Sequence, residues 1–164
     1  MRLEYLNQME AELLGRLAQY QVEFAVVGGH AVLCYSLLAR PDGTLRTLGD
    51  LDILIGGSDA NLRRVSEALL SLRISLTPEM LSSMYRAGKI PNLTGGYSTQ
   101  LFPRIDGVET DEVLRTSEPA YSKIGTVPII SRNALIKSKK AAGRPKDLQD
   151  VRALEAAPEC PKAV

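Results

Sequence analysis

Two segments constrain this chain more than anything else in it: Phe24-Ala-Val-Val-Gly-Gly-His-Ala-Val32 and Arg46-Thr-Leu-Gly-Asp-Leu-Asp-Ile-Leu-Ile55. In the first, Phe24 to Val27 is a short unbroken apolar run, the pattern of a strand covered on both faces. Gly28 and Gly29 break it, and His30 to Leu38 reads as a helix. In the second, Asp50 to Ile55 reads as another buried strand, with carboxylates at its first and third positions.

Side chains two apart on a strand share a face. Asp50 and Asp52 can therefore converge on one cation while Leu51, Ile53 and Ile55 face a core. Two like charges at the mouth of a buried strand are costly unless they reach water or share a cation. Mg²⁺ accepts one or two protein carboxylates and takes its other oxygens from water and phosphates, and Mn²⁺ is expected to substitute. The alternative is a strand end that happens to be charged. Gly28 and Gly29, lacking Cβ atoms, let the backbone take positive φ and approach a ligand. The helix N-terminus that follows offers unpaired N–H groups to phosphate oxygens; the same pair also suits tight strand-to-helix packing alone. His30, the single histidine, either contacts a phosphate or base or hydrogen-bonds structurally at the helix start.

The rest of the chain alternates in kind. Leu6, Met9, Leu13, Leu17 and Tyr20 recur at helical spacing and predict an amphipathic first helix. Arg40-Pro-Asp-Gly-Thr44 has turn chemistry. Ser58 caps an expected helix from Asp59 to Leu72, and Thr77 with Pro78 starts another through Arg86. Ile90 to Gly96 reads as loop, Tyr97 to Phe102 as a strand, Ile105-Asp-Gly-Val108 as a turn and Glu109 to Arg115 as a short acidic helix. Ile124 to Ile130, with Gly125 and Pro128, reads as an edge strand or hairpin. Ser131 caps a helix from Arg132 to Ala142 that Gly143 ends, and Pro145 starts a last one reaching about Ala157. This order predicts a mixed α/β (α+β) domain over 1–157 ending in two helices, with a mobile tail over 158–164.

A formal charge of +1 gives no global attraction to nucleic acid or acidic membranes, so any anion-binding surface is local. The conspicuous basic cluster runs from Arg132 to Lys146. Cys34 and Cys160 are too few for a disulfide framework or a zinc cage. Met1 to Tyr20 carries Glu4, Glu10 and Glu12 and does not read as a signal peptide. No apolar run approaches the roughly 18 residues of a membrane span. The expectation is a cytoplasmic protein with reduced thiols and no membrane partner.

Taken together, Val26-Val-Gly-Gly-His-Ala31, Arg46 to Ile55 and Ala142-Gly-Arg-Pro-Lys-Asp-Leu-Gln-Asp150 resemble the nucleotidyltransferase superfamily related to DNA polymerase beta. The chain looks most like its small bacterial branch of minimal nucleotidyltransferases and AbiEii-type toxins. The resemblance in order and spacing runs from about Phe24 to Leu154. It implies a mixed sheet flanked by helices, with Gly28 and Gly29 holding a triphosphate and Asp50 and Asp52 binding Mg²⁺. By the same resemblance Arg46 and Thr47 line the approach to the metal, and Lys137, Lys140, Arg144 and Lys146 contact phosphate or substrate. Read from the residues alone, Arg144 and Lys146 at a helix start serve either anion binding or a solvated basic face. Asp147 and Asp150 are expected to pair with nearby Lys or Arg.

One position departs from the family's pattern. Its third carboxylate sits on a later strand, shortly before a turn like Ile105-Asp-Gly-Val108. Here that strand reads Ser98-Thr-Gln-Leu-Phe-Pro103, which puts Gln100 in the position. A glutamine carbonyl is a poor general base and a weak Mg²⁺ ligand, and its presence is expected to lower phosphoryl-transfer rates by orders of magnitude. Asp106, in the turn beyond, is the candidate substitute. Two expectations follow. The chain binds Mg-NTP and transfers a nucleotidyl group to a hydroxyl on a protein, RNA or small molecule. Alternatively, it is a catalytically degenerate nucleotide-binding or protein-interaction module of a defence or toxin–antitoxin system, partnered by a second copy or a cognate antitoxin.

Overall fold

The computed structural model describes residues 1–36, 42–89 and 91–157. The end of the expected second helix at Leu38, part of the Arg40–Thr44 turn, Ile90 and the 158–164 tail with Cys160 lie outside them.

The first helix, α1 (Gln8–Gln19), begins later than its apolar periodicity predicts. Asn7 accepts a hydrogen bond from the Glu10 N–H, and Glu10 in turn accepts from the Asn7 N–H. This reciprocal cap fixes the start, so Leu6 lies before the helix although it is buried. The residues ahead of the cap run beside a strand instead: the Leu3 N–H donates to the Tyr121 carbonyl at 2.8 Å, and the Tyr121 N–H to the Met1 carbonyl at 3.1 Å.

From there the elements are β1 (Phe24–Val27), α2 (Gly28–Tyr35), β2 (Leu51–Ile55), α3 (Asp59–Ser71), α4 (Pro78–Arg86), β3 (Asn92–Leu93) and β4 (Thr99–Phe102). The chain continues through α5 (Thr110–Thr116), β5 (Glu118–Ser122), β6 (Gly125–Ile129), α6 (Arg132–Ala142) and α7 (Pro145–Ala156). Ser58, Thr77 and Ser131 each accept a backbone N–H at the start of their helices, and Gly143 closes α6 in the left-handed region.

The fold is mixed α/β. Six strands form one sheet in the order β3-β4-β2-β1-β6-β5. β1 is antiparallel to β2 and parallel to β6, while β2 is parallel to β4. Three strands depart from expectation, among them β5, whose residues carried no strand expectation. Asn92–Leu93, read as loop, pairs with β4. Gly125–Ile129 does form a hairpin, but with β5 outside it, so it is an inner strand. Pro128 lies opposite Pro119 in that ladder.

The core takes Leu13, Leu14 and Leu17 from α1, all of β1, and Leu51, Ile53, Leu54 and Ile55 of β2. Asn61, fully buried, ties α3 to the sheet by donating to the Glu23 and Gly56 carbonyls and accepting the Glu23 N–H. No helix among the described residues is long and apolar enough to cross a membrane.

Candidate functional site

The site grows from the junction of β1 and α2. β1 passes into the helix with no intervening loop, and the capping residue, Val27, has no side chain able to accept a hydrogen bond. The first N–H groups of α2 are thus left without a capping side chain. Gly28 takes φ +66°, and a Cβ there would run into the Asp52 carboxylate, 2.9 Å from its Cγ. Only glycine lets the helix start and this acid sit together.

Asp52 is the second residue of β2 and is half-buried. Burial pushes its carboxyl up from the ordinary 3.8 to about 6. Lys139 opposes that most strongly, with Lys146 and Arg144 behind it, while Asp50 adds to it. Asp50 stands just ahead of the strand at a bend and is exposed, so its charge acts on Asp52 from the solvent side. In the sheet Asp52 lies between Val27 on β1 and Gln100 on β4. Residues paired across a ladder share a face, so Gln100 is the immediate β4 neighbour of the acid.

A cavity of about 300 Å³ opens beside this junction. Gly28 and Asp52 line one side, and Lys139 and Arg144 come from α6 and its end. Arg104 and Asp106 enter from the turn after β4. Gly107, at φ +74°, brings that turn onto α6, where a Cβ would lie 3.2 Å from the Lys137 carbonyl oxygen.

The α6–α7 side is held by a network of five charges. Lys139 Nζ lies 3.1 Å from Asp147 Oδ1 and 3.0 Å from Asp150 Oδ2. Arg144 Nε donates to Asp147 Oδ2 at 2.6 Å. Arg46 donates to both carboxylate oxygens of Asp150, through Nη1 at 3.3 Å and through Nη2. Asp147 and Asp150 are buried, as is Arg46. Burial raises the Asp147 carboxyl, but the Arg144 and Lys139 hydrogen bonds outweigh it and hold the group below its usual range. Three cations against two anions leave the network with one positive charge in excess.

The residues expected from sequence therefore separate. Gly28, Asp52 and Arg144 meet at the cavity. Gly29 lies beside it, with an added Cβ 3.8 Å from Arg46 Nη1. Arg46 itself is turned to Asp150, and Thr47 is exposed. Lys146 is exposed and reaches Asp52 through its charge. Lys137 is exposed, and Lys140 pairs with Glu155 on the outer surface at 2.7 Å. His30 is buried with its Nδ1 unpartnered, and burial lowers its pKa against a pull from the Tyr5 backbone. Cys34 donates to the His30 carbonyl, and burial pushes its thiol up to about 12, which removes it as a nucleophile.

Lys139 is the residue the sequence reading passed over. Leu135, Ser138, Lys139 and Ala142 line the cavity at positions i, i+3, i+4 and i+7 of α6. That periodicity was present in the sequence, and it separates Lys139 from Lys137 and Lys140.

The donor set suits a cation brought by a ligand. Among the described residues no group of three or more His, Cys, Asp or Glu could hold a metal ion. A hard cation at Asp52 would take most of its oxygens from phosphates and water, as Mg²⁺ commonly does.

The solved structure of an antigenic nucleotidyltransferase-like protein from Paracoccidioides brasiliensis superposes with a TM-score of 0.50 over 91% of this chain and 77% of that one, at 13% identity. The fold is nucleotidyltransferase-like. No protein-family model and no curated protein matches the chain.

Proposed function

We propose that this chain binds a nucleoside triphosphate as its Mg²⁺ or Mn²⁺ complex at the start of α2. Nucleotidyl transfer to a hydroxyl on a protein, RNA or small molecule is the reaction such an arrangement serves. One observation carries the reading: the Asp52 carboxylate rests against the positive-φ Gly28 at an uncapped helix start, across one cavity from Lys139 and Arg144. Phosphate oxygens would accept from the free N–H groups of α2, and Asp52 would share their cation. Lys139 and Arg144 would face the charge that develops on departing pyrophosphate. A divalent cation supplies charge neutralisation at the triphosphate.

The test is transfer of label from α-labelled NTP to candidate acceptors. Transfer is expected to need Mg²⁺ or Mn²⁺ and to fall at least a hundredfold in Asp52→Ala, the scale of losing one preorganised electrostatic group. Undiminished transfer in that variant would move the site elsewhere.

A second reading is retention of the nucleotide without transfer, in a defence or toxin–antitoxin module with a cognate partner. Gln100, paired with Asp52 in the sheet, favours it. The resemblance to the small bacterial branch rests on Val26–Ala31, Arg46–Ile55 and Ala142–Asp150 together. Metal-dependent NTP binding with no label transfer is the outcome this reading expects.

A further inference from the structure

We infer that the site takes one divalent cation per chain, carried in by the triphosphate, and that Gln100 sets that number. The inference rests on the nucleotide-binding reading above. Two ions that act together on a phosphoryl group lie roughly 3.5–4 Å apart. Holding them that close takes several carboxylates, because each ion repels the other and both must shed water.

The carboxylates around Asp52 do not supply this. Its two neighbours in the sheet are Val27 and Gln100, one apolar and one a neutral amide. Asp147 is engaged by Lys139 and Arg144. Asp50 stands exposed ahead of the strand and does not line the cavity. Asp106 lines the cavity, and its charge acts on Arg144, whose pKa it helps to raise.

The charge count agrees. Asp52, Asp106 and Asp147 line the cavity against Arg104, Lys139 and Arg144, three acids to three bases. A formally neutral cavity does not concentrate two free dications. It does accept a triphosphate that has already chelated one, because the anionic complex can meet Lys139 and Arg144 while its cation meets Asp52. An acid at position 100 would stand beside Asp52 on the same face and tip the balance toward a second ion.

Equilibrium dialysis of the full chain with Mn²⁺ and a non-hydrolysable α,β-methylene NTP analogue counts both ligands. The expected ratio of Mn²⁺ to nucleotide to chain is 1:1:1 for the wild type and for Gln100→Ala, rising to 2:1:1 for Gln100→Asp. Gln100→Glu, which keeps the side-chain length, gives the same doubling if the aspartate variant does not fold. Two Mn²⁺ per wild-type chain, or one per chain in folded variants of both acids, would overturn the inference and leave nucleotide binding standing. No analogue retained by the wild type would instead sink the nucleotide-binding reading, and the inference with it.

Discussion

Asp150→Ala is expected to cost about 3–5 kcal/mol of folding stability, the usual penalty for stranding one member of a buried ion pair. For a chain of this length that is a fall in Tm of roughly 10 °C. The side chain of Asp150 is 2% exposed and that of Arg46 is 6% exposed. Without Asp150 the Arg46 guanidinium stays buried with no acceptor for its two terminal nitrogens, and its Nε already has no partner. Lys139 would be spared, since Asp147 still accepts from it. The double variant Arg46→Met/Asp150→Leu is expected to recover most of the loss, because removing both charges removes the desolvation cost as well. Thermal melts of the three proteins decide the matter. A single-variant loss under about 1 kcal/mol, the range of solvated surface pairs, would mean that the Arg46–Asp150 pair is open to water.

Asp52→Asn should act in the opposite direction. A carboxyl whose folded pKa stands near 6, above its ordinary 3.8, favours the folded state least when it is ionised. Below pH 3.8 it is protonated in both states and costs nothing. Between 3.8 and 6 the unfolded chain ionises first, so stability falls as pH rises, and above about 6 the full cost is present. The shift sets an upper figure of about 3 kcal/mol, which residual solvent access reduces to about 1–2 kcal/mol. The amide variant is therefore expected to melt roughly 4 °C higher than wild type at pH 8 without divalent metal, and to lose that advantage near pH 4. Added Mg²⁺ with nucleotide should raise the wild-type Tm and leave Asp52→Asn unmoved. A variant less stable than wild type at pH 8 would show that the carboxylate is held by favourable contacts rather than kept for a ligand.

Local chemistry made much of this fold legible. Ser131, Gly143 and Pro145 bound α6 and begin α7 through caps and a fixed φ, which need no knowledge of the rest of the chain. The apolar runs of β1 and β2 identify buried strands in the same way. The start of α1 was also local, in the Asn7-x-x-Glu10 box, but apolar periodicity extending back to Leu6 masked it. β5 was hidden for a different reason. Glu118-Pro-Ala-Tyr-Ser122 has one buried residue, and its strand character comes from β6 on one side and the N-terminal residues on the other.

The site divides along the same line. Gly28 and Asp52 could be located from turn chemistry and strand spacing, and Gln100 from the family resemblance. Arg46 resembled a phosphate ligand because its acceptor, Asp150, lies 104 residues away. A basic residue and its buried partner cannot be matched across such a distance without the packing of α7. Lys139 differed again: three lysines within four residues look alike until the cavity-facing side of α6 is known.

The central claim is that the Asp52–Gly28 junction binds a nucleoside triphosphate through a divalent cation. The direct measurement is isothermal titration of the wild-type chain with ATP, GTP, CTP and UTP, each with Mg²⁺ and with EDTA. Saturable one-to-one binding of at least one nucleotide, present with Mg²⁺ and lost with EDTA, is the predicted result. Absence of binding by all four at millimolar concentration with Mg²⁺, or equal affinity in EDTA, would contradict the account.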